Sequence, residues 1–374
     1  MGRIVRYTCL LSLMGSLMFS QSMINRLKVP VIMKGTMGFG YDNNYLRLSD
    51  KEIREDDVHV YGISKTLDTP ILKPTVKLIY SPVIVDDKTT NIITSISYSH
   101  FSQSVQKSYL ITNLSMELKL RSYSWLKIGF RYLPKYYLQN YIDRDIEPGK
   151  WTEYDYGDSF VDATGISYYE CTFFSQKYYG SFSFPVKYIR KTWLRIYTDF
   201  TKEYYNPHFT EFDLEKYMVQ FDINHRTRRK NKMKLSIAHG VAQNISYGSN
   251  LPSTGFDRSY IFDKVRGETI FNIRKLKAID DAGISVQLEQ RYYDLLSEKY
   301  SIGNWKYYLD GRAKVWVDWD IIDDIGFKTY YQFRWRDAST QIYGDFEWVE
   351  DVKSYSKHEF WLEFSYKFIT DILY

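Results

Sequence analysis

The stretch "HEFWLEFSYKFITDILY" (His358 to Tyr374) decides how this chain is read. In steps of two from its end, Phe360, Leu362, Phe364, Tyr366, Phe368, Ile372 and Tyr374 are apolar or aromatic, with Thr370 the one exception. Glu359, Glu363, Ser365 and Lys367 fall between them. Successive strand side chains point to opposite faces, so one face of this segment is apolar and the other is polar. An exposed strand with an unpaired edge invites aggregation, so the pattern asks for a partner strand.

The same period recurs along the chain. In "YLITNLSMELKLR" Leu110, Leu114, Met116, Leu118 and Leu120 share a face with Thr112, against Asn113, Ser115, Glu117, Lys119 and Arg121. In "ISVQLEQRYY" Ile284, Val286 and Leu288 oppose Ser285, Gln287, Glu289 and Arg291. "RAKVWVDW" and "FKTYYQFRWR" repeat this arrangement, with Arg312, Lys314, Asp318, Lys328, Arg334 and Arg336 on the polar face. Strands are predicted near 31–40, 73–85, 90–102, 108–121, 125–140, 162–179 and 191–204. Seven more are predicted near 215–226, 232–243, 260–274, 282–294, 308–320, 325–336 and 357–370. Fourteen is an even number, as single-chain bacterial barrels have, and 12 to 16 fit the same pattern. No repeat or Pro-rich linker divides them, so one domain over 21–374 is expected.

The connections alternate in length. Long ones span 41–72, 141–161, 243–259, 295–307 and 337–356; short ones lie near Asp86 and Ser122, at 226–232 and 275–281, and near Asp323. The third connection, near Gln103 to Lys107, is short where a long one is expected; "GSFSFPVKYIR" (Gly180 to Arg190) is long for a turn; and "VHVYGIS" (Val58 to Ser64) reads as strand or first loop.

Composition narrows the class. Aromatics make up 18% of the 374 residues, with 36 Tyr, 22 Phe and 9 Trp, while mean hydropathy is −0.42. Tyr and Trp favour sites where one end of the ring is apolar and the other is wet. Arg3 and Arg6 precede the apolar run "YTCLLSLMGSLMF", and Ser20 follows, so residues 1–20 read as a cleavable secretory signal; a buried N-terminal helix is the alternative. Removing that segment lowers the formal charge from +5 to +3, too mild a balance to imply nucleic acid. Only Cys171 of the 2 cysteines then remains, which excludes an intrachain disulfide and a cysteine zinc cluster. No later stretch approaches 18 apolar residues, so a membrane crossing would need a closed barrel. A secreted β-sandwich also alternates and stays open; it explains the aromatic abundance and the loop lengths less well.

With the signal, the aromatic-rich alternation and the final strand in hand, the chain resembles a Gram-negative outer-membrane β-barrel protein of the porin-like class. "GFGYDNNYLRLSD" (Gly38 to Asp50) is similar to the first strand and loop of several barrel families. The resemblance implies an antiparallel up-and-down barrel closed by its first and last strands, in contact with outer-membrane lipid. It also implies an assembly signal read by the barrel-assembly machinery, here Phe364, Tyr366, Phe368, Ile372 and Tyr374.

With the apolar faces toward lipid, the alternate residues line the interior. These are Glu117, Lys119, Arg121, Lys127, Arg131, Arg195, Asp222, Glu289, Arg291, Arg312, Lys314, Asp318, Lys328, Arg334, Arg336, Glu363 and Lys367, with Asp199 and Gln287 beside them. A mildly basic lumen points to passive diffusion of small polar or anionic solutes. Cross-strand pairing that plugs the barrel is the competing outcome. Service in binding or export through the extracellular loops is the alternative function, and an outer-membrane hydrolase ranks last. The 6 histidines are scattered without metal-ligand spacing, Ser99 and His100 point to opposite faces, and no phosphate loop is present, so no enzyme activity, metal or cofactor is expected. Asp318, Asp320, Asp323 and Asp324 coincide with a turn, and "RTRRKNK" reads as a solvated one. Oligomeric state is not encoded in any of these patterns.

Overall fold

A computed structural model describes residues 28–55, 66–85, 88–142, 159–161, 167–227, 230–245, 259–273, 279–293, 306–322, 324–340 and 353–373. The proposed signal segment, Tyr374 and "VHVYGIS" lie outside them. The strands are β1 (Lys28–Asp42), β2 (Thr69–Tyr80), β3 (Thr90–Phe101), β4 (Tyr109–Arg121), β5 (Ser124–Ile142), β6 (Ser159–Val161), β7 (Ser167–Pro185) and β8 (Thr192–Tyr205). They continue as β9 (Leu214–Arg226), β10 (Lys232–Asn244), β11 (Tyr260–Asn272), β12 (Asp281–Tyr293), β13 (Lys306–Ile322), β14 (Ile325–Thr340) and β15 (Tyr355–Leu373).

Every pairing is antiparallel, each long strand pairs with its neighbour in sequence, and β5 pairs with β7. The circle closes where β15 meets β1, in unbroken register from Lys28↔Leu373 to Asp42↔Glu359. The wall therefore has fourteen strands, with the three-residue β6 beside it on β7. Tyr168 and Tyr169 already pair with β5, so β6 takes the other edge of β7, beyond the end of β8. Closure answers the question posed by the terminal segment: its edge is paired, and Asp371 lies within the strand.

Alternation sorts the two faces. Outward residues such as Phe221, 59% exposed, and Phe360, 54% exposed, have no protein covering them. Phe130, Tyr178, Phe200 and Tyr217 share one register row outside, with successive ring centroids 5.0, 6.4 and 4.7 Å apart. Phe364, Tyr366 and Phe368 are also exposed on this face. A soluble sandwich buries its apolar face between sheets, and this single closed sheet does the reverse.

Two expectations need correction. The sixth wall strand runs from 167 to 185 rather than 162 to 179, and the turn is only 186–191. "GSFSFP" continues the alternation, with Phe182 outward and Ser181 and Ser183 opposite Tyr197 and Arg195, and Pro185 ends the strand. The second strand spans 69–80 rather than 73–85, taking in Pro70 and Pro74. Pro74 has no N–H, and the ladder to β3 skips Lys73 and Pro74 while keeping its register on either side.

One end of the barrel carries the short turns 81–89, 122–123, 186–191, 227–231, 273–280 and 323–324. At the other end the connections are longer, except 102–108 and 206–213, each of which contains a 3₁₀ turn, Val105–Lys107 and Pro207–Phe212.

Candidate functional site: the inner wall and the loop-lined mouth

At the long-loop end the chain leaving β1 folds inward. Asn44 makes this a fixed structure: its Nδ2 donates to the carbonyls of Leu48 (2.8 Å) and Ser356 (3.0 Å), and its Oδ1 accepts from Leu48 N–H (2.8 Å). Ser49 and Glu52 form a reciprocal capping box, at 2.8 and 3.1 Å, that starts the short helix α1 (Asp50–Glu55). Tyr45, Leu46 and Leu48 are buried against Ile71, Phe101, Tyr137 and Trp361, so this loop packs on the wall it emerges from. The motif Gly38 to Asp50 thus encodes a strand followed by a mouth-narrowing loop. Gly40 is required here, because a Cβ would stand 2.7 Å from the ring of Trp361, which lies across it. Trp361 begins a row of rings in direct register, Trp361–Tyr330–Trp316, that ends on Gly283.

Arg47 adopts φ 62°, a left-handed conformation that disfavours any residue with a side chain, held by the turn from Asn44 O to Arg47 N (3.1 Å). Burial lowers its pKa, but Tyr136, Tyr355, Asp310 and Glu359 around it outweigh burial, and the guanidinium stays charged above its ordinary value. Lys107, in the 3₁₀ turn at 105–107, is buried, and its Nζ donates to the carbonyls of Tyr137 (2.7 Å) and Leu138 (2.8 Å). The register of β5 against β7 shifts between Tyr137 and Asn140, and Leu138 lies inside that bulge. Burial, with Arg47 and Lys357 adding to it, pulls the Lys107 amine down to about 8.

Below this loop the upper wall is a matched network. Lys357 bridges Asp42 (2.6 Å) and Glu359 (2.9 Å), and Arg334 also reaches Glu359 (3.3 Å). Glu289 receives Lys264 (2.8 Å) and Arg291 (2.7 Å), and Asp310 receives Arg291 (3.3 Å) and Arg336 (2.8 Å). Arg195 and Lys234 share Asp222, Lys177 meets Asp199 (2.9 Å), Lys127 meets Glu117 (2.6 Å), and Lys328 meets Asp318 (2.9 Å). Arg312 donates to Gln332 (2.6 Å), Lys314 lies 3.5 Å over the Tyr330 ring, and Lys119 lies 5.6 Å over Trp125.

Of the remaining sequence-expected positions, Glu363 lies opposite Gly38 and Lys328, and Gln287 opposite Arg266 and Arg312. Arg121 is at the end of β4, facing a short turn. Arg131 and Lys367 have no carboxylate partner among the described residues. All these positions share the parity opposite to the exposed aliphatic residues. Lys34, Lys73, Lys77, Asp42, Lys357, Glu359, Asp310, Lys264, Arg47 and Lys107 were not anticipated. The strand members alternate with Met33, Leu72, Val76, Leu78, Phe360 and Leu309, and that period alone could have found them; the two loop residues left no such signal.

Among the described residues no group of three or more His, Cys, Asp or Glu side chains converges as metal ligands do. His100 Nδ1 lies 3.4 Å from Ser108 Oγ, which also accepts Phe101 N–H (3.0 Å), so this pair clasps a hairpin. His239, on the outer face, meets Asp263 at 2.8 Å.

The closed antiparallel wall with an apolar outside and an ionisable inside is the architecture of outer-membrane β-barrels, the class the sequence resembles. No family model and no curated protein matches the chain. Solved structures similar in fold include the outer membrane channel DcaP of Acinetobacter baumannii, at 12% identity over 90% of this chain and 97% of that one, TM-score 0.44. They also include an anion-selective porin from Comamonas acidovorans, at 6% identity over 91% and 99%, TM-score 0.40, and Pseudomonas aeruginosa OprD, at 6% over 91% and 95%, TM-score 0.37.

Proposed function

We propose that this protein is a porin-like channel of the Gram-negative outer membrane, passing small polar solutes by diffusion along a mildly basic lumen. One observation carries the reading: a closed wall whose outward side chains are exposed and apolar and whose inward side chains are ionisable. Lipid is the solvent that suits the first face, and water the solvent that suits the second. Fourteen strands lie between the side-chain-filled barrels of eight and the open porins of 16 to 18. On this reading the charged set from Glu117 to Lys367 lines the passage, the long loops face outward from the cell, and both chain ends reach the periplasmic side. The inward loop at 43–49 sets the narrowest point, and Phe364, Tyr366, Phe368, Ile372 and Tyr374 present the last strand to the assembly machinery. The protein carries out no covalent chemistry and uses no cofactor.

Refolded protein in planar bilayers provides the test. Stepwise chloride currents with an anion preference are expected. A barrel that keeps its heat-modifiable migration yet stays silent would support service through the loops instead.

A further inference from the structure

Across six adjacent strands, one inner row reads Lys367, Lys34, Lys77, Ser95, Asn113 and Arg131, from β15 through β1 to β5, each directly opposite the next. Lys34 stands between two lysines, and directly opposed like charges destabilise a sheet. Among the described residues none of these four cations has a carboxylate partner. The nearest carboxylate residues along the same strands are Glu363, Asp371 and Glu117, each four residues from the row. That is about 13 Å along a strand, beyond the screening length of about 10 Å at ordinary salt.

The row towards the long loops holds hydroxyls, Ser365–Thr36–Thr75–Ser97, with Thr75 Oγ1 donating to Ser97 at 2.9 Å. The row towards the short turns holds Ile369, Ile32, Ile79 and Ile93. Lys34 and Lys367 are exposed and Lys77 is half-buried, so the ammonium groups are accessible from inside the barrel.

We infer that Lys367, Lys34 and Lys77, with the hydroxyls of Thr36 and Ser365, form a binding site for a phosphate-class oxyanion, either inorganic phosphate or a phosphate monoester. Three point-charge donors on neighbouring strands converge on one multiply charged acceptor. A carboxylate, planar and monovalent, is better matched by the fork of an arginine. The hydroxyls supply neutral donors to the same oxygens, and Asp324, whose carbonyl accepts Lys367 N–H (2.9 Å), adjoins Lys367 but lies two strands from Lys34. The bound oxyanion would offset the lysine repulsion that the empty wall carries. This site rests on the interior being wet, which the channel reading requires, but on no other part of that reading.

The experiment is titration of inorganic phosphate into the refolded, detergent-solubilised barrel by calorimetry, at constant ionic strength in chloride. Saturable binding is expected, with acetate failing to compete and a phosphate monoester competing. Lys34→Gln and Lys77→Gln should each weaken binding on the order of tenfold, as loss of one charged hydrogen bond implies. Lys34→Arg should keep it within a few-fold, and Lys187→Gln, in the turn at 186–191, should leave it unchanged. Without phosphate, Lys34→Gln should also raise the unfolding midpoint, because it removes the repulsion. No binding to the wild type, or undiminished binding to a folded Lys34→Gln Lys77→Gln protein, overturns the site. Chloride currents in bilayers are read separately: a silent barrel that binds phosphate refutes the channel alone, and a conducting barrel that ignores phosphate refutes the site alone.

Discussion

The upper wall and the lysine row face the same interior, yet they treat charge in opposite ways. Near the long loops, Glu359, Asp310 and Glu289 each take two cations and Asp42 takes Lys357, and the ionic groups are buried or half-buried beneath the inward loop. Along Lys367–Lys34–Lys77 the cations stand side by side, exposed or half-buried, with no carboxylate paired to them among the described residues. A matched network holds shape and contributes little net field. An unmatched row shapes the wall weakly but sets the potential a passing ion meets. The number of basic residues inside is therefore a poor guide to selectivity, and the number left unpaired is a better one.

The largest expected effect comes from reversing the unmatched row. Lys34→Glu with Lys77→Glu should convert anion preference to cation preference, read as a change in sign of the reversal potential under a salt gradient. Exchanging a matched pair, Arg336→Asp with Asp310→Arg, should shift that potential much less, because the pair carries little net charge in either order. An equal shift from both pairs would erase the distinction between the two regions.

Stability should respond in the other order. Asp310→Asn leaves Arg336 without its carboxylate and Arg291 with Glu289 alone, on a half-buried wall. The cost should be roughly 1–3 kcal/mol, below that of a fully buried pair because water still reaches these groups. Denaturant unfolding in micelles measures it, and a loss no larger than that of Lys77→Gln would contradict the structural role.

The sequence made the wall legible because the solvents on its two sides differ. Period-two alternation found all fourteen wall strands, two of them with shifted bounds, and within them Glu117, Lys127, Arg291 and Arg336 have the parity opposite to the exposed aliphatic residues. The pairing of β15 with β1 followed from the final aromatic strand. What stayed hidden was long-range. Lys34 and Lys77 sit in strands interrupted by Gly35 and Pro74, which blur the alternation, and their adjacency depends on a register that no single strand encodes. The inward loop was seen only as a motif, because Asn44 closes it through bonds to residues four and 312 positions away.

A smaller effect should accompany pH. The Lys107 amine, near 8, lies below its unfolded value of about 10.4, so between those points the unfolded chain holds a proton that the folded one has lost. Its contribution to stability therefore rises with pH across that interval and is flat below it. Anion preference should weaken modestly as pH passes 8, and Lys107→Met should remove that step while leaving the contribution of the lysine row in place.

The most direct measurement is the zero-current potential of the wild-type channel in planar bilayers under a potassium chloride gradient, taken before and after inorganic phosphate is added. An anion-selective potential that collapses toward zero as phosphate occupies the row is predicted. A conducting, cation-selective or unselective channel indifferent to phosphate would contradict the view that the unpaired lysines govern this barrel.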